Sequence, residues 1–550
     1  MRLLSFLLLV LLPAQVLAAT VYIDPSCPNS GDGTTTVCGA NGGTGPYKLW
    51  SSVTWTAGNT YAGKGGTTAS ESVTVGATGT AGNVITVTSY GTGQHTISSA
   101  GGTAITAIDR SYLTITNMKF ATGTGHGIDI QSSGAVSNLT ITNNTFNTVK
   151  QHGIKMGSND NASVISTVMI TGNSFTSIGL GGITYPQIPA GNSGIWSDHM
   201  ISDNYFTTVG RDGALPAIDM LMIGGTTAKY LRVQIERNTI ENCNNSYTSN
   251  PSIIRLGRSP AGSAIELRFD TVTIRDNSIG STRQGAIEVA HVGGASVIAR
   301  NGFDDIDSNA ALAVFWSREV VIEANVISNI RPLLESSSID GMGLDLEDNT
   351  GLIVRRNRVA TSLGATGVPN SGQGIYNFSC NACFVYANLL IGNKNGLHVY
   401  GSTDMTVPSI YAHNTVVNST QYGAWLSWTA SYRQVLINNV VSGSGVYGVR
   451  DEGSGGTLST LTTNLVFGSG TADYSGATHA SDINANPLLT DWYKTQGSSP
   501  ARRAGTLTST CLDFRGRPCM THPDLGAYQA GSGDPAAPRL PLTQPRAARQ

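Results

Sequence analysis

The sequence predicts an all-β protein, a single-stranded right-handed parallel β-helix (solenoid) of about 12–14 coils with an Asn ladder along one corner. Three observations predict it. Charged residues are 12% of the chain, about half the ~25% of an ordinary globular protein, and 66 of the 550 residues are Gly. One phrase recurs, an apolar strand residue, an Asn, and an apolar residue two positions on, as in Ile141-Thr142-Asn143-Asn144-Thr145-Phe146 and Ile170-Thr171-Gly172-Asn173-Ser174-Phe175. The interval between these Asn residues falls to 24, from Asn277 to Asn301 and again to Asn325, and never below it. A constant minimum with variable excess describes one structural turn into which loops are inserted.

The first element, residues 1–18, has Arg2, an apolar run from Leu3 to Leu12 and Val16-Leu17-Ala18 before a cut after Ala18, the layout of a secretory signal. That run is shorter than the ~20 apolar residues a membrane span needs, and no later stretch reaches that length, so a secreted chain without a span is expected. A formal charge of −2 supplies no field that gathers nucleic acid, and a monomer is expected. Export suits disulfides, and the sequence-close pairs are Cys27 with Cys38, Cys380 with Cys383, and Cys511 with Cys519, leaving Cys243. The Cys380 and Cys383 spacing also fits a redox pair or half of a zinc site.

The repeat continues through Asn204, Asn238, Asn277, Asn301, Asn325, Asn357, Asn388, Asn414, Asn439 and Asn464. Asn tolerates the left-handed backbone of a sharp corner, and its amide can bond the Asn one coil away. Alternation then puts Ile141 and Phe146 inside and Thr142 and Thr145 outside. Each coil resolves into three strands. The first has the form Gly-aliphatic-X-aliphatic, as in Gly343-Leu344-Asp345-Leu346 and Gly396-Leu397-His398-Val399, with X facing out. The expected division is an N-terminal cap and first coils over 19–100, the β-helix over 101–480, a closing segment over 481–530 and a disordered tail over 531–550, which is rich in Pro, Ala and Arg.

The ends carry further phrases: Tyr22-Ile23-Asp24-Pro25 near the start, and Cys511-Leu512-Asp513-Phe514-Arg515-Gly516-Arg517 and Pro523-Asp524-Leu525-Gly526-Ala527-Tyr528 near the finish. With the Asn-corner coils, these resemble the secreted, pectate-lyase-like parallel β-helix proteins over about residues 20–530. The resemblance implies the solenoid and an activity on polysaccharides. It favours a lyase, with Ca²⁺ carboxylates and a Lys or Arg base on the first-strand face.

Read in order, the X positions are Asp129, Lys155, Trp196, Asp219, Arg255, Glu288, Ala313, Asp345, Tyr376, His398, Trp425 and Arg450. Aromatic and charged side chains in one column suit a surface that grips a sugar polymer, with Trp196, Arg255, Tyr376 and Trp425 as substrate contacts. The alternative is a set of charges that satisfy one another up the sheet. Insertions at 179–193, 331–341 and 361–372 are expected just before the first strand. The densest carboxylate cluster is Asp340, Asp345, Glu347 and Asp348.

Three chemistries could use this cluster. A lyase acting on an acidic, uronate-containing glycan by β-elimination would hold Ca²⁺ on Asp340, Asp345, Glu347 and Asp348, with Lys394, Arg318 or His398 as base or charge neutraliser. An inverting hydrolase would use Asp345 with Glu347, their Cα atoms ~6.7 Å apart, or with Glu288 about two coils away. An epimerase would add a second proton donor to the lyase's groups. A non-catalytic glycan-binding or adhesin rod would use the same column. His126, His152 and His291 fall at strand edges, where a loop hydrogen bond is the expected role.

Overall fold

In the computed structural model the described residues are 18–39, 43–158, 164–185, 194–213, 215–221, 229–243, 252–257, 267–332, 341–365, 368, 371–401, 407–428, 434–453, 459–476, 479–506, 513–518 and 521–529. Strands stack in parallel into three sheets of 15, 18 and 15 strands, taken in the order in which a coil visits them. One coil runs from Ile128–Ser132 on the first sheet to Ala135–Thr142 on the second and Thr145–Val149 on the third. The next coil pairs in register, Ile128 with Ile154, Ile141 with Ile170 and Phe146 with Phe175. Stacking begins early, since Thr20–Ile23 pairs with Thr60–Lys64, which pairs with Ile85–Tyr90.

Alternation fills the interior. Phe120, Phe146, Phe175 and Phe206 occupy one inward column of the third sheet and stack at 4.6–5.0 Å, each without exposed surface. In a closed solenoid the equivalent position of the next coil is the nearest neighbour, so identical rings stack on one another.

The Asn ladder runs unbroken. Asn325 donates Nδ2–H to Oδ1 of Asn357 at 2.9 Å and to the Ile298 carbonyl at 3.0 Å, while its backbone N–H meets the same Oδ1 at 3.0 Å. The pattern repeats from Asn144 to Asn464, and Asp482 receives the last pair of donors, at 2.8 and 3.3 Å. The backbone reason for Asn is corrected. The left-handed residue is the one before the ladder Asn, for example Asn143 (φ 54), Arg237 (φ 53), Ala324 (φ 54) and His413 (φ 52). Asn is present for its amide, which satisfies backbone groups above and below a buried corner.

Cys27–Cys38 and Cys380–Cys383 are disulfides, the second with both residues only 1% exposed, and Cys243 is a buried free thiol. Cys511 and Cys519 lie outside the described residues, as do residues 1–17 and 530–550. After the last coil the chain turns back along the corner. Thr506 and Gly526 donate to Oδ1 and to the carbonyl of Asn438, and Ala527 N–H donates to Thr415 Oγ1 at 2.8 Å. Among the described residues no helix is long and apolar enough to cross a membrane.

Candidate functional site

Outward side chains of the first sheet align coil by coil. Backbone pairing sets Asp129, Lys155, Thr184, Asp219, Arg255, Glu288, Ala313, Asp345, Tyr376, His398, Trp425 and Arg450 in one column. Two residues further along each strand a second outward column holds Ala290, Phe315, Glu347, Phe378, Tyr400 and Ser427. Sequence reasoning missed the aromatics of this second column, although period 2 from each X position would have found them.

Trp196 is a correction. It lies on Ile195–Ser202 of the second sheet, pairs with Tyr230, has no exposed surface and packs edge-on against that ring at 5.6 Å. Thr184 takes its expected position. The first-sheet strand of that coil is Ile183–Tyr185, so the inserted residues 186–193 follow this strand rather than precede it. The insertions before Met342–Glu347 and before Gln373–Phe378 fall where expected.

The lower half of the first column is ion-paired. Arg255 donates Nε and Nη2 to the two oxygens of Asp219 at 2.9 and 2.8 Å. Asp219 has no exposed surface, and burial raises its carboxyl pKa against the lowering pull of Arg255. Lys155 stands 3.6 Å from Asp129, and Ser252 Oγ donates to Glu288 at 3.4 Å. Arg255 is therefore committed to a buried partner, the self-satisfying arrangement.

The upper half is a stack of rings. His398 lies flat on Trp425 at 4.1 Å and 4°, Tyr376 stands 5.1 Å below His398, and Phe378 stacks on Tyr400 at 5.2 Å. The guanidinium of Arg450 covers the other side of Trp425 at 5.7 Å, bonds the Tyr422 hydroxyl and pairs with Glu452, which also accepts the Trp425 indole N–H at 2.7 Å. Trp425 is thus sandwiched and only 8% exposed. Gln373 donates to His398 Nδ1 at 3.3 Å, which leaves Nε2–H to donate to Ser427 Oγ at 3.0 Å. Burial pushes the His398 pKa down to about 3, so the ring is neutral and weakly basic.

The stack ends on carboxylates. Asp345 is next to Tyr376 in register and Glu347 next to Phe378. Below them lie Ala313 and Phe315. Tyr376 packs on Ala310, Ala313 and Met342, and Asp345 is 1% exposed, whereas Glu347 is half-buried between two Phe side chains.

The other candidates stand apart from this column. Lys394 lies in the turn before Asn395–Gly401 and donates Nζ protons to the carbonyls of Val368 and Ala365 at 2.6 and 3.2 Å and to Ser371 Oγ at 3.2 Å, which ties down the preceding insertion. Burial lowers its pKa. Arg318 is exposed in the turn after Ala310–Phe315, where its backbone bridges Thr350. Arg355 and Arg356 both pair with Glu323, away from the first sheet. His152 Nδ1 accepts from Gly181 N–H and pairs with Thr184 Oγ1, the loop role expected for it.

For Ca²⁺, Asp345 and Glu347 share a face. Asp348 begins the next turn with φ 52, and its N–H bonds the Phe378 carbonyl at 3.0 Å. Asp340 lies outside the described residues. Among the described residues, the one group of three potential ligands within 4.8 Å of one another is Asp24, Cys27 and Cys38, whose cysteines are disulfide-bonded. Among the described residues, Asp345 and Glu347 on one face are the carboxylates that would hold the ion, which takes six to eight oxygens from carboxylates, carbonyls and waters.

Residues 61–187 match the family described as right handed beta helix region. No curated protein sequence matches significantly. Similar solved structures include a lacto-N-biosidase from Eubacterium ramulus (11% identity, 85% of this chain and 68% of that one, TM-score 0.34). They also include a pectate lyase (12%, 93% and 96%, 0.26) and an alginate lyase from Paenibacillus sp. (11%, 76% and 97%, 0.28). At these scores the likeness is one of fold and carries no argument about reaction. The chain is a right-handed β-helix protein, similar in fold to enzymes that act on polysaccharides.

Proposed function

We propose that this protein is a secreted polysaccharide-cleaving enzyme that works on the outer face of the first sheet, with Asp345 and Glu347 as its paired carboxylates. The observation that carries the reading is the register: the stack of rings ends at Tyr376 and Phe378, directly beside Asp345 and Glu347. A sugar ring stacks on an aromatic face, and Tyr376 and Phe378 are half-buried where His398 and Trp425 are buried. Two carboxyls whose Cα atoms are ~6.7 Å apart on one strand can divide the work of glycoside hydrolysis, one protonating the leaving oxygen while the other activates water. Glu347, the less buried of the two, reaches the substrate first.

β-Elimination of a uronate-containing glycan is the reading implied by resemblance. Lys394 favours it to the extent that burial lowers its pKa towards that of a base, but its protons are donated to three oxygens of the neighbouring insertion. A His with pKa about 3 is a poor proton acceptor at neutral pH. A panel of polysaccharides separates the readings. New reducing ends without absorbance from a new double bond are expected. Absorbance would make the enzyme a lyase, and retention without either product would make it a binding rod. A chelator arm in the same panel tests for a cation.

A further inference from the structure

We infer that residues 530–550 lie on the outer face of the second sheet, where the Pro-rich run around Leu540 and Leu542 covers an apolar stripe. Register places Val297, Val321, Ile353, Phe384, Ile410 and Val435 at one outward position of six consecutive coils, between Thr273 below and Thr460 above. Beside them Tyr386, Ala412 and Ile437 follow one another in the next outward column, and Phe384 stacks on Tyr386 at 4.4 Å. Ile410 is 39% exposed and the other five of the stripe are half-buried. The apolar cluster formed here by Tyr386, Ala387 and Ala412 with Ile353, Phe384 and Ile437 draws on this sheet and its corner alone. The turns entering the strands of Val321, Ile353 and Phe384 are the short segments 316–320, 348–352 and 379–383, which bring no insertion to cover them. A contiguous apolar stripe on a sheet face marks a contact surface.

The third sheet shows what outward apolar residues do in these same coils. Val440 and Leu465 have no exposed surface because Ala501 and Leu525 of the closing segment pack on them, and Tyr528 and Phe514 pack on Leu389 in the same way. The described part of that segment then ends at the corner shared by the second and third sheets. The Asp524 carbonyl bonds His413 Nδ1 at 3.3 Å, Gly526 N–H donates to the Asn438 carbonyl at 2.8 Å, and the Gln529 side chain bonds the Asp524 N–H and carbonyl at 2.7 and 3.1 Å. His413 and Asn438 directly follow Ala412 and Ile437 in the sequence, so Gln529 hands the chain on at the rim of the stripe.

The segment that follows has the reach and the chemistry. Its 21 residues span ~65 Å in an extended polyproline conformation at ~3.1 Å each, whereas the six coils of the stripe rise by ~24 Å. Pro535, Pro538, Pro541 and Pro545 surround Leu540 and Leu542. The strands beneath are paired on both sides, so an occupant of this face gains no ladder bond and loses nothing by lacking N–H groups. Pro-rich segments bind aromatic-lined surfaces because their extended form is already ordered, and the Phe384–Tyr386 pair supplies such a surface.

The test places the photo-crosslinker p-benzoylphenylalanine in the full chain at Ile353 and, in a second variant, at Ile410, both outward positions that a folded chain can fill with a larger ring. After irradiation of the dilute protein, trypsin releases the fragment Leu540–Arg546, and the label should have captured it within a chain of unchanged mass. Leu540→Asp combined with Leu542→Asp should cut that capture at least about tenfold, as the loss of two buried Leu contacts requires. The same label at Thr140, lower on this sheet, should capture the fragment far less. Equal capture at Thr140 would mean random collision of a tethered segment and overturns the inference. Capture between two chains, at doubled mass, overturns it in favour of a second copy. Capture of any other segment of the same chain assigns the cover to that segment, and capture of none leaves the stripe open to solvent; either result overturns the inference, and none of them bears on the proposed polysaccharide activity.

Discussion

Asn325 lies one coil from Asn357 with its amide nitrogen 2.9 Å from the Asn357 Oδ1, and that same oxygen also takes the Asn325 backbone N–H at 3.0 Å. Both side chains are without exposed surface. One oxygen thus serves two buried donors, so loss of a single amide leaves backbone groups of the adjacent coil without partners.

Asn325→Leu should therefore cost on the order of 1–3 kcal/mol, read by urea denaturation. Ala324→Gly separates the amide from the backbone, because Ala324 is the left-handed residue (φ 54). Glycine removes strain of about 1 kcal/mol there and adds chain entropy of similar size, so near-neutrality is expected. A large loss in Ala324→Gly together with a small one in Asn325→Leu would return the corner to backbone conformation.

Arg255 is predicted to matter for folding more than for substrate. Arg255→Ala strands a buried Asp219 carboxylate and should cost about 3–5 kcal/mol, most of it recovered when Asp219→Asn is added. If Arg255→Ala weakened glycan retention without lowering the melting temperature, the guanidinium would be a ligand contact.

Tyr376 and Trp425 share a column but should behave oppositely. Trp425 is sandwiched between His398 and Arg450, so Trp425→Ala should lower the melting temperature by several degrees. Tyr376 is half-buried beside Asp345, so Tyr376→Ala should lower polysaccharide affinity more than stability. Equal effects on binding and melting in both variants would make the column a structural ladder throughout.

What was legible in the sequence followed from period 2 and from the shortest coil. The Asn positions, the inward Phe residues and eleven of the twelve X positions needed only phase, and the register bears them out. Trp196 escaped because Gly194-Ile195-Trp196 imitates the first-strand phrase, while the true strand, Ile183–Tyr185, is three residues long. Phase also says nothing about cover or partners. That Asp219 and Arg255 consume each other, or that His398 and Arg450 cover Trp425, depends on side chains from different coils meeting, which no local pattern encodes. The proposed pair, Asp345 and Glu347, rests in the sequence on carboxylate density, flanking insertions and nearby basic residues.

Acid should unfold the solenoid. Burial depresses His95, His199 and His413 to about 4 and His152 and His398 to about 3, against a usual value of 6.5. A His with a depressed folded pKa is neutral in the native state while the unfolded chain takes up its proton. Stability is then intact above pH 6.5 and falls as pH drops from 6.5 towards 4 or 3, by up to about 1.4 kcal/mol per pH unit for each such group. Urea midpoints from pH 7.5 to 4.5 should drop steeply, and His413→Asn should flatten the slope by one group's share. A flat profile would mean that these rings keep their protons in the native state.

The carboxylate pair gives the most direct test of the proposed activity. Asp345 and Glu347 are two residues apart on one strand, Met342–Glu347, so both face outward, with Cα atoms ~6.7 Å apart. If they are the acid and base, Asp345→Asn and Glu347→Gln should each reduce turnover by a factor on the order of 10²–10⁴, the usual worth of a positioned proton-transfer group. The double variant should be little worse than the stronger single one, because residues that act as a unit are not additive. Melting temperatures should move little, since both substitutions keep shape. In hydrolysis by an acid and a base no cation takes part, so EDTA should leave turnover unchanged. If both isosteric variants keep full activity on a substrate the protein cleaves, the chemistry lies outside this pair. If EDTA abolishes turnover and Ca²⁺ restores it, the carboxylates are ligands, and the acid and base must be sought among other groups on the same face.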